Sequence, residues 1–281
     1  MKIIPVILFS FLSFSLWSQQ LKKIAKLPEE LAEISGLVFY NDSLLIGHND
    51  SGNSPLIYFI TLQGHIIHKV KISGAQNTDW EDITTDPQGF IYIGDFGNNN
   101  NNRTSFTVYK IDGAHLLEKD SVSAAQIHFS LSEQREFPAP ASEKYYDMEA
   151  LTFYNDSLHI ITKCNSRPFD GITYHYILPA APGNYVLSHT DILKPGTKSY
   201  YFDAITGCTS FKNTFYLLTY NKVLKYEYLH GSLTFVSKKK VKRYSQKEAI
   251  TTKDGEVFFI ADEKHKLLGG RNLYQFRYGK K

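Results

Sequence analysis

The chain is poor in cysteine and close to neutral. Of its 281 residues only two are Cys, and the formal net charge is +3. Two cysteines cannot build a disulfide framework or a four-thiolate zinc site. Near-neutrality gives no electrostatic case for nucleic acid or an anionic membrane surface as partner. The motifs of conventional catalysis are missing too. No Gly-x-Ser-x-Gly elbow, His-Glu-x-x-His, phosphate-binding glycine loop or Cys-x-x-Cys occurs, so serine, zinc, nucleotide and dithiol chemistries have no support.

What is present in excess is aromatic. Tyr and Phe number 19 each, and aromatics make up 14% of the chain, a bias that with frequent β-branched residues favours strands. The N-terminus reads differently. Met1-Lys2, an apolar stretch from Ile3 to Trp17 and then Ser18-Gln19-Gln20 follow the order of a secretory signal. Leu16 stands where a small residue is usual, so a retained anchor is the alternative. The expectation is a signal peptide at residues 1–18 and a single exported domain at 19–281, periplasmic or extracellular, monomeric and without integral membrane association.

A short motif recurs five times: Ser35-Gly36-Leu37, Glu81-Asp82-Ile83, Glu149-Ala150-Leu151, Thr206-Gly207-Cys208 and Glu248-Ala249-Ile250. The copies start roughly 40 to 70 residues apart, the period of propeller blades. Each opens a hairpin: SGLVFY-NDS-LLIGHND, EDITTD-PQG-FIYIGDF, EALTFY-NDS-LHIITKC, TGCTSF-KNT-FYLLTYN and EAITTK-DGE-VFFIADE. Asn, Asp, Gly or Pro fill the centres, where a tight turn needs them. A second strand pair follows each of the first four hairpins, at 56–61 with 65–72, 105–111 with 125–131, 172–178 with 185–193, and 223–228 with 233–241. The fifth has one further strand, 272–278, and residues 21–27 supply a spare. The fold class is therefore all-β, a propeller of five four-stranded blades closed by the N-terminal strand. Six blades is the alternative, and it would need a hidden repeat between Glu81 and Glu149, where Ser132 to Asp147 reads as a loop broken by Pro138 and Pro140.

A hairpin returns to the end it left. One mouth of the ring should thus collect Ser35, Glu81, Glu149, Thr206 and Glu248 near the axis, with Asp50, Asp95, Lys163, Asn221 and Asp262 just outside. Two positions before the leading residues stand Glu33, Asp79, Asp147 and Gln246. Glutamates facing one another in a narrow channel repel, and a proton or a hard cation must relieve this. Oxygen ligands without His point to calcium or magnesium, and the metal candidates are Glu81, Glu149 and Glu248. A second account makes these carboxylates structural acceptors of backbone N–H groups. Asp82 stands where the other copies have Gly or Ala, which marks blade two as special. The Asn-rich run from Asn98 to Asn102 with Arg103 reads as a flexible loop, and the sequons at Asn41 and Asn155 as hairpin turns. Lys238 to Arg243 fits either a phosphate-binding stripe or a lysine-protected edge strand. Cys164 and Cys208 fall at one end of adjacent blades, compatible with a disulfide or with two buried thiols.

The hairpins resemble the blades of NHL-type, SdiA-regulated and gluconolactonase-like propellers. The pattern ISGL…HNDSG, DWEDI…GDFGNN, DMEAL and KEAI is similar to that of exported bacterial propellers for which the resemblance implies no particular activity. In the gluconolactonase-like group a catalytic divalent cation sits on the axis, and the matching positions here are Glu81, Glu149 and Glu248. The chain departs from that group in its five blades and in Ser35 and Thr206. Two functions follow as expectations. The first is an exported propeller that binds a small ligand or a protein partner at its Glu-lined mouth with bound Ca2+, using Ser35, Asp50, Asp95, Lys163, Thr206 and Asp262 as ligand-binding groups. The alternative is a metal-dependent hydrolase of lactones or phosphoesters, with Glu81, Glu149 or Glu248 as general base.

Overall fold

Residues 21–267 and 269–279 are described by the computed structural model, so the expected signal peptide at 1–18 lies outside them. Among the described residues no helix is long and apolar enough to cross a membrane. Five antiparallel blades form a ring. From the axis outward, blade 1 runs Ile34–Phe39, Leu44–Asn49, Leu56–Thr61 and Ile66–Ser73. Blade 2 runs Trp80–Thr85, Phe90–Asp95, Phe106–Asp112 and Ala125–Leu131. Blade 3 has Asp147–Tyr154, Ser157–Lys163, Thr173–Pro179 and Asp191–Leu193. Blade 4 has Gly207–Phe211, Thr214–Thr219, Lys222–Leu229 and Ser232–Lys240.

Blade 5 takes Lys247–Thr252, Val257–Asp262 and Asn272–Arg277 from the C-terminal part and Lys22–Lys26 as its outermost strand. That pairing closes the ring as the spare N-terminal strand implied. The innermost strands then touch in sequence order, and that of blade 5 lies against that of blade 1.

The core is divided among the five junctions between blades. Ile46 packs with Ile83 and Ile91 between blades 1 and 2, whereas its neighbour Leu45 points the other way, toward Ala249 and Phe259 of blade 5. Tyr92 faces Met148 and Leu158 of blade 3, and the junctions of blades 3 with 4 and 4 with 5 are built alike. Because successive side chains point to opposite faces and both faces are covered, these strands read as continuous apolar runs. Gly207 shows how closely the inner strands approach. A Cβ there would lie 2.5 Å from the carbonyl oxygen of Glu248.

Three details differ from the sequence expectation, and the six-blade alternative falls away. The run from Tyr185 to Leu193 is not one outer strand. Gly183–Leu187 pairs in parallel with Ala125–Leu131 at the edge of blade 2, and only Asp191–Leu193 completes blade 3. A further short strand, Ser121–Ser123, extends blade 1. No sixth blade forms between Glu81 and Glu149, since residues 132–146 contain only a short 3-10 turn at Ala141–Glu143. The Asn98–Asn102 run is a built loop: Asn98 and Asn101 are buried, and the Asn98 side chain accepts N–H groups of Asn102 and Arg103. Lys238 to Lys240 lie on the outermost strand of blade 4, as an edge-strand role requires. Cys164 and Cys208 are both buried free thiols.

Candidate functional site

In four of its five copies the repeated motif turns out to be a β-bulge. Ile34 pairs with Asn49 and Gly36 with His48, which leaves Ser35 without a partner position. Glu81 is skipped in the same way between Trp80 and Asp82, Glu149 between Met148 and Ala150, and Glu248 between Lys247 and Ala249. A bulge kinks the strand and re-aims one side chain. The fourth copy lacks the bulge, because Thr206 precedes its strand and the Gly207–Phe211 ladder is regular.

Two groups of carboxylates result. Asp50, Asp79 and Glu81 each offer one oxygen within 4.8 Å of the others, and so do Glu81, Asp147 and Glu149. Gly97 closes one side of this cradle, since a Cβ there would lie 2.2 Å from Glu81 Oε1 and 2.4 Å from Asp79 Oδ2. Asp147 is held by the backbone N–H of Asn98 at 2.7 Å and by the Asn165 amide at 2.6 Å. Lys163 Nζ donates to Glu149 Oε1 at 2.9 Å, with both side chains buried. Glu81 Oε1 is buried and has no hydrogen-bond partner.

The electrostatics follow from this crowding. Burial, then Glu149, Asp50, Asp79 and Asp147, hold the Glu81 carboxyl well above the usual carboxylate range. Burial followed by Asp50 and Asp147 pushes Asp79 up to about 7. Glu149 is also raised, because burial outweighs the attraction of Lys163. Burial opposes charge on Lys163, but Glu149 more than compensates and keeps its ammonium group protonated. Such a set is strained as it stands and is relieved by positive charge.

The other residues singled out in the sequence occupy distinct places. Glu248 lies beside this set with Oε2 buried and unbonded, and burial pushes its carboxyl to about 7. Ser35 donates to the Glu81 carbonyl and Thr206 to the Lys247 carbonyl, each at 2.6 Å, so both tie neighbouring blades together. Asp95 pairs with Arg103 and receives the Asp79 N–H, at 3.1 Å in each case. Asp262 accepts from Asn272 and from the Tyr274 hydroxyl. Asn221 caps a turn with Thr219. Asp79 and Asp147 join the carboxylate groups of the mouth although the sequence pattern left them outside the metal candidates. The signal for them was the repeated acidic dipeptide spacing in DWE and DME.

Asp82 has a different position from its neighbour Glu81. It is fully buried on the axis, where Oδ1 accepts the Ile83 N–H at 2.8 Å and Oδ2 accepts the N–H groups of Leu151 at 2.8 Å and Cys208 at 3.2 Å. One side chain of blade 2 thereby fastens the inner strands of blades 3 and 4.

A cavity of about 650 Å³ adjoins the carboxylates and is lined by Asn99, Asn100, Lys144, Asn165, Arg167 and Tyr200 among others. Asn165 links it to Asp147, and the Tyr200 ring stands 5.5 Å from Lys163 Nζ. The site thus joins a hard-oxygen cluster to a polar, cationic and aromatic recess.

No protein-family model and no curated protein matches the chain. Among solved structures it is similar to the glutaminyl cyclase of Myxococcus xanthus, with 11% identity, coverage of 92% of this chain and 95% of that one, and a TM-score of 0.54. A PQQ-bound aldose sugar dehydrogenase from Streptomyces coelicolor has 8% identity, covers 91% and 96%, and scores 0.49. A gluconolactonase from Xanthomonas campestris has 10% identity, covers 92% and 87%, and scores 0.46. The first likeness is one of fold, and the other two are too loose to argue from.

Proposed function

We propose that the protein is an exported β-propeller that binds a divalent cation among the carboxylates of its mouth and, beside it, a small polar or anionic ligand in the adjoining cavity. The observation that carries this reading is Glu81, whose Oε1 is buried and unbonded and whose carboxylate offers an oxygen within 4.8 Å of oxygens on Asp147 and Glu149. An unpaired carboxylate in such a place costs several kcal/mol unless a proton or a cation compensates it. The donors are all carboxylate oxygens, which suits calcium, magnesium or manganese. Calcium is the choice for an exported chain, because its flexible coordination tolerates ligands gathered from several strands. Lys144, Arg167 and the amides of Asn99, Asn100 and Asn165 would receive the ligand, with Tyr200 flanking it.

The test is elemental analysis of the purified mature protein followed by thermal melting with calcium and with chelator. At free calcium of about 100 times Kd the folded state gains about 2.7 kcal/mol, a shift of roughly 5 to 10 °C for a domain of this size. Glu149→Gln should lose that shift. A wild-type midpoint indifferent to both calcium and chelator, with no ion bound, overturns the proposal.

A further inference from the structure

The carboxylates of the mouth form two triads, and Glu81 belongs to both. Asp50, Asp79 and Glu81 make the outer one, of which Asp50 and Asp79 are half-buried. Glu81, Asp147 and Glu149 make the inner one, and all three are buried. Resting on the cation reading above, we propose that the mouth holds two divalent cations, one per triad, bridged by the Glu81 carboxylate.

Charge argues for the pair. Ionised, the carboxylates of Asp50, Asp79, Glu81, Asp147 and Glu149 face the one ammonium group of Lys163, which is ion-paired within the inner triad. One dication leaves two negative charges uncompensated among the triads and two dications balance them, while Glu248 beside the set adds a further acidic group. Burying charge without compensation is the costly arrangement.

Geometry argues for it as well. A carboxylate has two oxygens and can bind one ion through each, and paired metal sites place their ions about 3.5 to 4 Å apart. Glu81 stands on a bulge and is the one residue that belongs to both triads, and its Oε1 has no hydrogen bond to lose when a metal arrives. The remaining ligands are fixed from outside. Asn98 and Asn165 hold Asp147, Lys163 holds Glu149, and the Asp95 side chain holds the Asp79 backbone. Each triad supplies three protein oxygens, too few to fill the shell of a hard cation. Water or a ligand's own oxygens complete both shells, and Asn165 brings the inner triad to the cavity wall.

Metal content and spin coupling test this together. The chelator-treated protein is loaded with MnCl2, desalted and assayed for manganese, and its electron paramagnetic resonance spectrum is recorded. A parallel calorimetric titration uses CaCl2. The expected result is two ions per chain, an exchange-coupled manganese signal and a two-step calcium isotherm. Asp79→Asn, on the more exposed triad, should leave one ion and a six-line mononuclear signal, and Glu81→Gln should lose the coupling. Circular dichroism confirms that each variant is folded. One ion per chain in the wild type, or two uncoupled ions unaffected by Asp79→Asn, overturns the bridged pair while leaving cation binding in place. No bound ion of either metal removes both.

Discussion

Glu81 and Asp82 are consecutive, carry the same charge and are equally buried, yet one belongs to the mouth of the ring and the other to its axis. Asp82 is surrounded by backbone N–H groups from blades 2, 3 and 4. Glu81 meets other carboxylates and leaves an oxygen unbonded. The bulge at Glu81 separates the two roles, because it interrupts the ladder between Trp80 and Asp82 and sends adjacent side chains to different places. Burial alone therefore does not distinguish a carboxylate satisfied by backbone N–H groups from one left with an unbonded oxygen. The partners do.

Substitution at the two positions should separate them most sharply. Asp82→Ala strands N–H groups on two other blades, and an unsatisfied buried donor costs about 1 to 3 kcal/mol. We expect a loss of about 3 kcal/mol or more in urea unfolding, with calcium or without it. A loss under about 1 kcal/mol would mean that the axis is held by packing alone. Glu81→Gln should do the opposite. Without cation it replaces a carboxyl whose ionisation burial and its acidic neighbours already disfavour, and leaves stability within about 1 kcal/mol of wild type or above it, but the calcium-dependent gain disappears. If both variants lose stability equally and calcium still stabilises Glu81→Gln, the contrast fails.

Gly97→Ala probes the cradle without altering any ligand. The new Cβ would fall 2.2 Å from Glu81 Oε1 and 2.4 Å from Asp79 Oδ2, so one or both carboxylates must move. Calcium affinity measured by calorimetry should drop about tenfold or more, equivalent to about 1.4 kcal/mol. An unchanged affinity would place the ion away from these two oxygens.

The sequence made some of this legible and hid the rest for identifiable reasons. Hairpins and their count could be read because turn residues and apolar runs are local signals, and the NDS, PQG, KNT and DGE centres all fall between paired strands. Ring closure was legible because residues 21–27 had no partner of their own. Bulges were not, since a bulge is a property of register and needs the facing strand. For that reason Glu81 was placed at the mouth, while Asp79 and Asp147 were left outside the ligand set. The bonds of Asp82 to Leu151 and Cys208 cross the axis, and no periodicity announces them. Tyr185 to Leu193 misled because a strand that adds in parallel to the preceding blade's edge has the same composition as one that stays at home. Asn98 to Asn102 misled because Asx turns and flexible loops use the same residues.

A third buried polar group extends the comparison with a smaller effect. His159 lies between blades 3 and 4, where Nδ1 meets His175 Nε2 at 2.8 Å, Nε2 reaches the Tyr154 carbonyl at 3.3 Å, and His175 Nδ1 meets Asp191 Oδ2 at 2.8 Å. Tyr228 and Phe215 stand edge-on to the same ring. Like Asp82 it has partners on both sides. Burial and then the neighbouring His175 lower its pKa to about 3, against the weaker pull of the Tyr154 carbonyl and Asp191. The unfolded chain gains a proton there near pH 6.5 and the folded chain does not. Stability from this group is therefore complete above pH 6.5 and declines as pH falls toward 3, at up to about 1.4 kcal/mol per unit. Between pH 6.5 and 5.5 we expect wild type to lose about 1 kcal/mol more than His159→Gln in urea unfolding at fixed calcium. Equal slopes would mean that the folded protein also protonates His159 and that its partners do not hold the ring neutral.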